Sequence, residues 1–490
     1  MPESESTGGV KTATEAGSLP KQVYTDILLE VAFANMWVPL MSGAIATGYL
    51  LLLGASEFEF GLLVSIGSLA GISAPIFSYM VDRHRDKKKL TLLWSLPIRL
   101  VQFLLAALPF LMFKKMLPRP LPFYLIISVF MSFLNVLIGQ SWFSWLGDII
   151  PEKQRGHYFA RRNVMGGAVG MVFAVLGGLF LDRCHMDPKL AFAWLFFIGS
   201  VFAVLNYLFL RRLPAGHIQP PAKEPFSLEA IPKKMLEVSK DKNFTKLVWF
   251  NAAWTFGMTL IGTYQNMYLI KELKMSYTVI NTYAIVSVVM GLVTMTFWGR
   301  IADRYGNKPV MLITGNILSI TPFLWAFMAY ANWLLAVIYF VAGACWSGFN
   351  LASYNMLLKI APREKRASYM AFNTIAVAAA ATIAPAAGGA ILSGLGSYKL
   401  DLYFFKFGNY QMLFVLGVLG RFFPSLFLRQ FKETGEGDVN SVALLVRTEV
   451  AEVINSALSF ALVPFSFIGN AVEDVVPPGI KKRIWKTKKK

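Results

Sequence analysis

Charge is scarce in this chain, and acid is scarcer than base. Only 15% of its 490 residues are Asp, Glu, Lys or Arg, against about 25% in an ordinary soluble domain. Two cysteines, Cys184 and Cys345, are too few for a disulfide framework. Four scattered histidines, His84, His157, His185 and His217, lack ligand spacing, so neither a metal site nor a cofactor is expected. No Gly-x-x-x-x-Gly-Lys-Ser/Thr loop occurs, which excludes an ATP-driven pump built from this chain by itself. A convergent Ser/His/Asp or Cys/His constellation is also missing, so an enzyme is not expected.

What the chain has instead is apolar residue, 56% of the total, in long runs. Each run is near the roughly 20 residues that cross a bilayer as a helix. Twelve spans are predicted, over residues 24–53, 58–80, 90–113, 121–149, 160–182, 190–210, 246–270, 278–299, 308–329, 333–360, 367–395 and 408–429. If the N-terminus is cytoplasmic, the cytoplasmic tails and loops hold 36 of the 47 Lys and Arg, the outer loops hold 9, and Arg99 and Arg421 lie within spans. That asymmetry predicts both termini inside. The formal net charge of +19 then follows from topology, and no nucleic-acid partner is expected. No cleavable signal peptide is expected before the first span.

A short loop pattern occurs twice. Ser78-Tyr-Met-Val-Asp82-Arg83 follows span 2, and Gly299-Arg-Ile-Ala-Asp303-Arg304-Tyr-Gly306-Asn-Lys308 holds the matching place after span 8. A second pair follows span 4 and span 10: Pro151-Glu-Lys-Gln-Arg155-Gly-His-Tyr158-Phe-Ala160 and Pro362-Arg-Glu-Lys-Arg366-Ala-Ser-Tyr369-Met-Ala371. Two copies of one membrane half are the build of alternating-access carriers. The expected fold is therefore all-α and integral to the membrane, twelve transmembrane helices in two pseudo-symmetric six-helix bundles. The domain plan is a disordered tail (1–22), a first bundle (23–212), a linker (213–243) with a short surface helix near 228–238, a second bundle (244–431) and a tail (432–490).

These loops resemble the signature of the major facilitator superfamily, Gly-x-x-x-Asp-Arg-x-Gly-x-Lys/Arg between helices 2 and 3. The second copy matches with Gly299, Asp303, Arg304, Gly306 and Lys308; in the first, Ser78 and Arg85 replace the two glycines. The resemblance covers about residues 24–430 and suggests a bacterial branch with no assigned substrate, in a plasma (bacterial inner) membrane. Gly permits close helix approach, and the Asp can face a neighbouring helix N-terminus, whose partial positive charge favours an anion. Such a latch would close the cytoplasmic side. The gate expected from the resemblance comprises Asp82, Arg83, Asp148, Arg155, Arg161, Arg162, Gly299, Asp303, Arg304, Gly306 and Arg366.

The resemblance also implies a cavity lined by spans 1, 4, 7 and 10. Its candidate substrate-binding residues are Trp37, Asn135, Gln140, Trp142, Trp254, Gln265, Asn266, Trp346, Asn350 and Tyr354. Amides, hydroxyls and indoles with little midplane charge suit a small neutral polar solute, sugar-like or nucleoside. The same groups also hydrogen-bond between helices as packing, so each candidate has a structural alternative. Ionisable groups inside a bilayer are costly and point to function. Glu30, one turn beyond Asp26, is the candidate proton carrier, with Arg161 or Arg162 as its partner because span 4 lacks the usual Arg. Arg99 and Arg421, on peripheral spans, read as snorkelling or as fixed ion pairs.

The expected function is secondary active transport of a small organic solute coupled to protons, by a monomer. A lipid or lysolipid translocase and a non-transporting receptor or scaffold are the alternatives. The tail alternates apolar and polar positions at helical period over 440–472 and ends in seven basic residues within 481–490, which predicts an interfacial helix held by anionic lipid.

Overall fold

The computed structural model describes residues 20–151, 155–216, 230–362, 365–396, 398, 400–402, 405–429, 431, 433 and 442. The N-terminal tail up to residue 19 and the expected interfacial helix at 440–472, Val442 apart, lie outside the described residues, as does the basic end.

Span 1 is two helices, α1 (Lys21–Leu40) and α2 (Gly43–Leu52), and not one. Pro39 lies inside the last turn of α1, and Gly43 takes a positive φ of 59° that few other residues tolerate, so the chain breaks between them. Span 2 is also double: α3 (Glu57–Ile72) and α4 (Ala74–Arg83), bent by 43° at Ser73. A capping box starts α3: the Ser56 hydroxyl accepts the Glu59 N–H at 3.2 Å, and the Glu59 carboxylate accepts the Ser56 N–H at 2.9 Å. Pro75 at the start of α4 has no N–H to donate to the preceding turn, so the helix restarts there.

The first bundle continues with α5 (Lys87–Phe113), α6 (Leu121–Ile149), α7 (Arg155–Arg183) and α8 (Pro188–Arg212), spans 3 to 6. The linker carries α9 (Ala230–Ser239), close to the predicted surface helix. Span 7 is α10 (Lys242–Gly262), continued by a turn at Gln265–Met267 and a π-helical turn at Tyr268–Glu272. Spans 8 to 12 are α11 (Tyr277–Tyr305), α12 (Asn307–Ala326), α13 (Leu334–Ile360), α14 (Arg366–Leu395) and α15 (Asn409–Arg429). Between spans 11 and 12 a small antiparallel hairpin pairs β1 (Leu400–Leu402) with β2 (Phe405–Phe407), an addition to the helical plan. Ten described helices are long and apolar enough to cross a membrane, and the bent pair of span 2 makes an eleventh. α10 holds the twelfth place. Large apolar side chains such as Leu93, Ile126, Phe130, Leu292 and Phe423 point outward, as a lipid-facing surface requires.

Buried apolar residues fall into three clusters, and their distribution defines the shape. At the end far from the termini, one cluster is shared by both bundles: Tyr49, Phe60 and Phe196 of the first pack with Tyr264, Met267, Tyr268 and Phe414 of the second. At the terminus-bearing end the described core is split. Ile27, Trp145, Leu146, Tyr158 and Leu210 form a cluster confined to the first bundle. Phe244, Phe250, Trp254, Trp298 and Phe349 belong to one confined to the second. The bundles are fused at one end and separately cored at the other.

Candidate transport pathway and its gates

The fused end is a polar seal as well as an apolar one. Asp182, closing span 5, accepts the N–H groups of Tyr277 and Thr278 at 3.0 and 2.7 Å and the Thr278 hydroxyl at 2.6 Å. It thereby caps the first turn of span 8 across the bundle boundary. A β-carbon at Gly178 would lie 2.8 Å from the Thr278 nitrogen, so glycine is what allows span 5 this close. On the other side of the seal, Glu57 pairs with Lys271 and accepts the Tyr410 hydroxyl at 3.2 Å. Deeper in, the Ala386 N–H donates to the Ser65 hydroxyl at 3.0 Å, and Asn281 donates to the Ala174 carbonyl at 2.7 Å. Span 2 follows span 11 from Glu57–Gly389 down to Gly71–Ala378. Past Gly71 the bend at Ser73 redirects α4.

Within the first bundle a chain of polar groups crosses four spans. Glu30 lies about 14 Å along α1 from Lys21 by helical rise, and it is buried. Arg162 of span 5 approaches its carboxylate at 3.8 Å. Asn206 of span 6 donates its amide N–H to the Glu30 carbonyl at 2.8 Å and to its carboxylate at 3.2 Å. Arg99 of span 3 donates to the Asn206 amide oxygen at 3.2 Å and lies 4.6 Å from the Trp37 ring centroid. Arg99 thus faces inward and does not snorkel to an interface. Arg162 sits over Trp142 at 4.5 Å, whereas Arg161 turns to Tyr24 at 5.6 Å. Asp26, one turn before Glu30, is half-buried. A cavity of about 300 Å³ opens beside Trp37, and Asn135 lines it too.

The predicted substrate residues of the second bundle do not converge on one cavity: Trp254 and Trp346 meet through Phe349, and the others lie elsewhere. Trp254 is 3% exposed and stacked on Phe349 at 4.6 Å, inside the bundle core. Trp346 meets the same Phe349 edge-on at 5.8 Å. Gln265 and Asn266 sit in the turn beside the fused seal, while Asn350 and Tyr354 are exposed on span 10. Gln140 is half-buried on span 4. Asn251 of span 7 donates to Asn373 of span 11 at 2.9 Å, and this tie had no sequence signal beyond two isolated amides.

At the terminal end the predicted gate residues hold their own bundles. Asp148 pairs with Lys87 at 2.8 Å, and Arg83 stacks on Tyr79 at 5.0 Å. The side chains of Asp82 and Arg155 lie outside the described residues. In the second copy, Asp303 is exposed and Arg304 stacks on Tyr305 at 5.3 Å. Gly299 packs against Leu351, and Arg366 donates to the Leu358 carbonyl at 3.4 Å. Gly306, at φ 92°, opens span 9, whose first turn is capped from the tail: Glu433 accepts the Lys308 N–H at 2.8 Å, the Asn307 side-chain amide at 3.1 Å and the Lys359 ammonium at 2.8 Å. Where Asp148 stands at the end of span 4, the second copy has Lys359, so a tail carboxylate provides the anion that the repeat lacks.

Two bundles of six spans, fused at one end and with an ion pair inside the first, define a membrane carrier. The family model of the Major Facilitator Superfamily matches residues 31–294 and again 250–477. The chain belongs to that superfamily, and it is an integral membrane transporter working by alternating access, not an enzyme. No curated protein matches the sequence. Solved structures match in fold. The nucleoside transporter NupG shares 14% identity at a TM-score of 0.62, covering 84% of this chain and 99% of its own. A bacterial homologue of the iron transporter ferroportin, in an inward-facing state, shares 13% at 0.65, covering 84% and 98%. A POT family transporter in complex with 5-aminolevulinic acid shares 14% at 0.62, covering 84% and 97%.

Proposed function

We propose that the protein is a proton-coupled carrier of a neutral, hydroxyl-bearing solute of sugar or nucleoside size. The observation that carries this reading is the polar chain from Trp37 through Arg99 and Asn206 to the Glu30–Arg162 pair. A carboxylate buried in the membrane interior stays charged only while a cation and hydrogen bonds offset its desolvation, so it gains a proton when either is withdrawn. Glu30 has one such cation within ion-pair range, Arg162, and its chain of partners reaches the cavity wall at Trp37. The basic bias of the sequence assigns the terminal end to the cytoplasm. On that assignment the fused end faces outward and the conformation is inward-open. The fold does not choose the cargo, since its solved neighbours include a nucleoside transporter, a homologue of an iron transporter and a transporter in complex with 5-aminolevulinic acid. The choice rests on amide, hydroxyl and indole groups in the first bundle.

The test is uptake of radiolabelled uridine, D-glucose and lysophosphatidylcholine into proteoliposomes under an imposed proton gradient. A neutral solute should accumulate, and Glu30→Gln should abolish gradient-driven accumulation while sparing equilibrium exchange. Undiminished gradient-driven uptake in Glu30→Gln would overturn the proton role. Transport of lysophosphatidylcholine alone would overturn the neutral-solute reading in favour of lipid translocation.

A further inference from the structure

The cavity beside Trp37 is walled by the first bundle alone, whereas a cargo site on spans 1, 4, 7 and 10 would draw on both bundles. Its walls come from spans 1, 2, 3, 4 and 6, with no residue from the second bundle. At about 300 Å³ it is at the small end of ligand-binding cavities.

Two buried polar groups on its wall have no partner. Gln102 is 1% exposed, and its amide oxygen accepts no hydrogen bond; the Trp37 indole N–H likewise donates none. Both residues line the cavity, and buried polar atoms are nearly always paired, so an unpaired acceptor and an unpaired donor on lining residues call for a ligand that supplies both complements. A hydroxyl group does so, donating to the Gln102 oxygen and accepting from the Trp37 nitrogen. Span 4 adds Tyr124, Ser128, Ser132 and Asn135, which recur at helical spacing on one face. The Ser132 hydroxyl spends its proton on the Ser128 carbonyl at 2.7 Å, which leaves its oxygen free to accept.

Resting on the neutral-solute reading, we propose that this cavity within the first bundle, with Gln102 and Trp37 as its hydrogen-bonding pair, is the binding site for a hydroxylated cargo group. Arg99 lies against the Trp37 ring and joins it to Asn206 and Glu30. Cargo at Trp37 therefore acts on the same hydrogen bond that holds the Glu30 carboxylate. Protonation of Glu30 and cargo affinity are reciprocally linked through it.

The test is the melting temperature of the purified full-length protein with uridine, D-glucose or myo-inositol at saturating concentration, at pH 6 and pH 8. The variants are Gln102→Met, Trp37→Phe and, in the second bundle, Trp346→Phe, each first melted without solute to verify folding. At least one solute should raise the wild-type melting temperature by several degrees. Gln102→Met and Trp37→Phe should each weaken its apparent affinity about tenfold, and Trp346→Phe should leave it unchanged. The wild-type affinity, but not that of Glu30→Gln, should differ between the two pH values. A solute shift kept in both first-bundle variants and lost in Trp346→Phe would overturn this site and leave the neutral-solute reading standing. Failure of all three solutes to shift the wild type would overturn both. If Gln102→Met does not fold, Trp37→Phe decides the question alone.

Discussion

The Asp182 carboxylate accepts the Thr278 backbone N–H at 2.7 Å, joining the end of span 5 in one bundle to the start of span 8 in the other. A carboxylate on a helix N-terminus was expected at the cytoplasmic loops, from Asp82 and Asp303. The described structure shows that device crossing the bundles at the opposite end. This follows from the conformation: a latch can be engaged only on the side where the bundles meet.

Asp182→Ala should therefore release the fused end. Losing a cap costs about 0.5–2 kcal/mol, so the share of molecules open at that end should rise by about twofold to thirtyfold. The readout is the thiol-labelling rate of Ser65→Cys, a buried position in the seal, in a background lacking Cys184 and Cys345. An unchanged rate would mean that Asp182 does not hold the seal.

Arg162→Gln should leave Glu30 buried and without its ion-pair partner, at a cost of about 3–5 kcal/mol. The double variant Glu30→Gln/Arg162→Gln should recover more than half of that loss. Thermal melting of the two singles and the double gives the coupling directly, and simple additivity would argue against a functional pair.

The second bundle's cap is pH-dependent. Burial raises the Glu433 carboxyl, but the hydrogen bond from Lys359 and the backbone N–H groups of Lys308 and Asn307 outweigh it and hold it below the usual carboxylate range. A carboxyl depressed in the folded state contributes stability that is complete above its unfolded value, about 4.3. That contribution is lost as pH falls through the lower folded value. Glu433→Ala should thus melt below wild type at pH 7, by the equivalent of about 1–3 kcal/mol. The gap should close as the pH is lowered below 4, and a gap independent of pH would refute the assignment.

Trp254→Ala should damage folding instead of a cargo site. Removing a buried aromatic side chain costs about 3–5 kcal/mol, whereas Trp254→Phe keeps the stack on Phe349 and should retain transport with modest loss of stability. Selective loss of cargo binding in Trp254→Phe, at unchanged melting temperature, would return Trp254 to the transport path.

Hydropathy alone places the spans well, because run length and basic-loop bias are local properties. Breaks within spans are less legible: Pro39 and Gly43 announce the first, yet Pro97 and Pro109 pass through α5 without ending it. The side of a helix that a residue faces is set by rotation about its axis. Arg161 and Arg162 adjoin in sequence, yet one meets Tyr24 and the other Glu30. Trp254 and Trp37 look alike in sequence, and only the packing of neighbouring spans sends one into the core and the other to a cavity wall. Gln102 is the one amide of span 3, and a lone amide gives no sign of which neighbour its helix face meets. Ser128, Ser132 and Asn135 are spaced by four and three residues, a helical-face pattern that could have added the two serines to Asn135 as candidates. Asp182–Thr278 and Glu433–Lys308 had no local signal, since each joins residues about a hundred positions apart.

If Glu30 carries the driving proton, its protonation shifts the balance between the two sides of the carrier. The most direct measurement is the distance, by electron spin resonance, between labels on spans 2 and 11 at the fused end, in nanodiscs at pH 5.5 and 8. Wild type should redistribute between a short and a long distance as the pH changes, and Glu30→Gln should give one distribution at both values. An equal pH response in Glu30→Gln would contradict that role of Glu30.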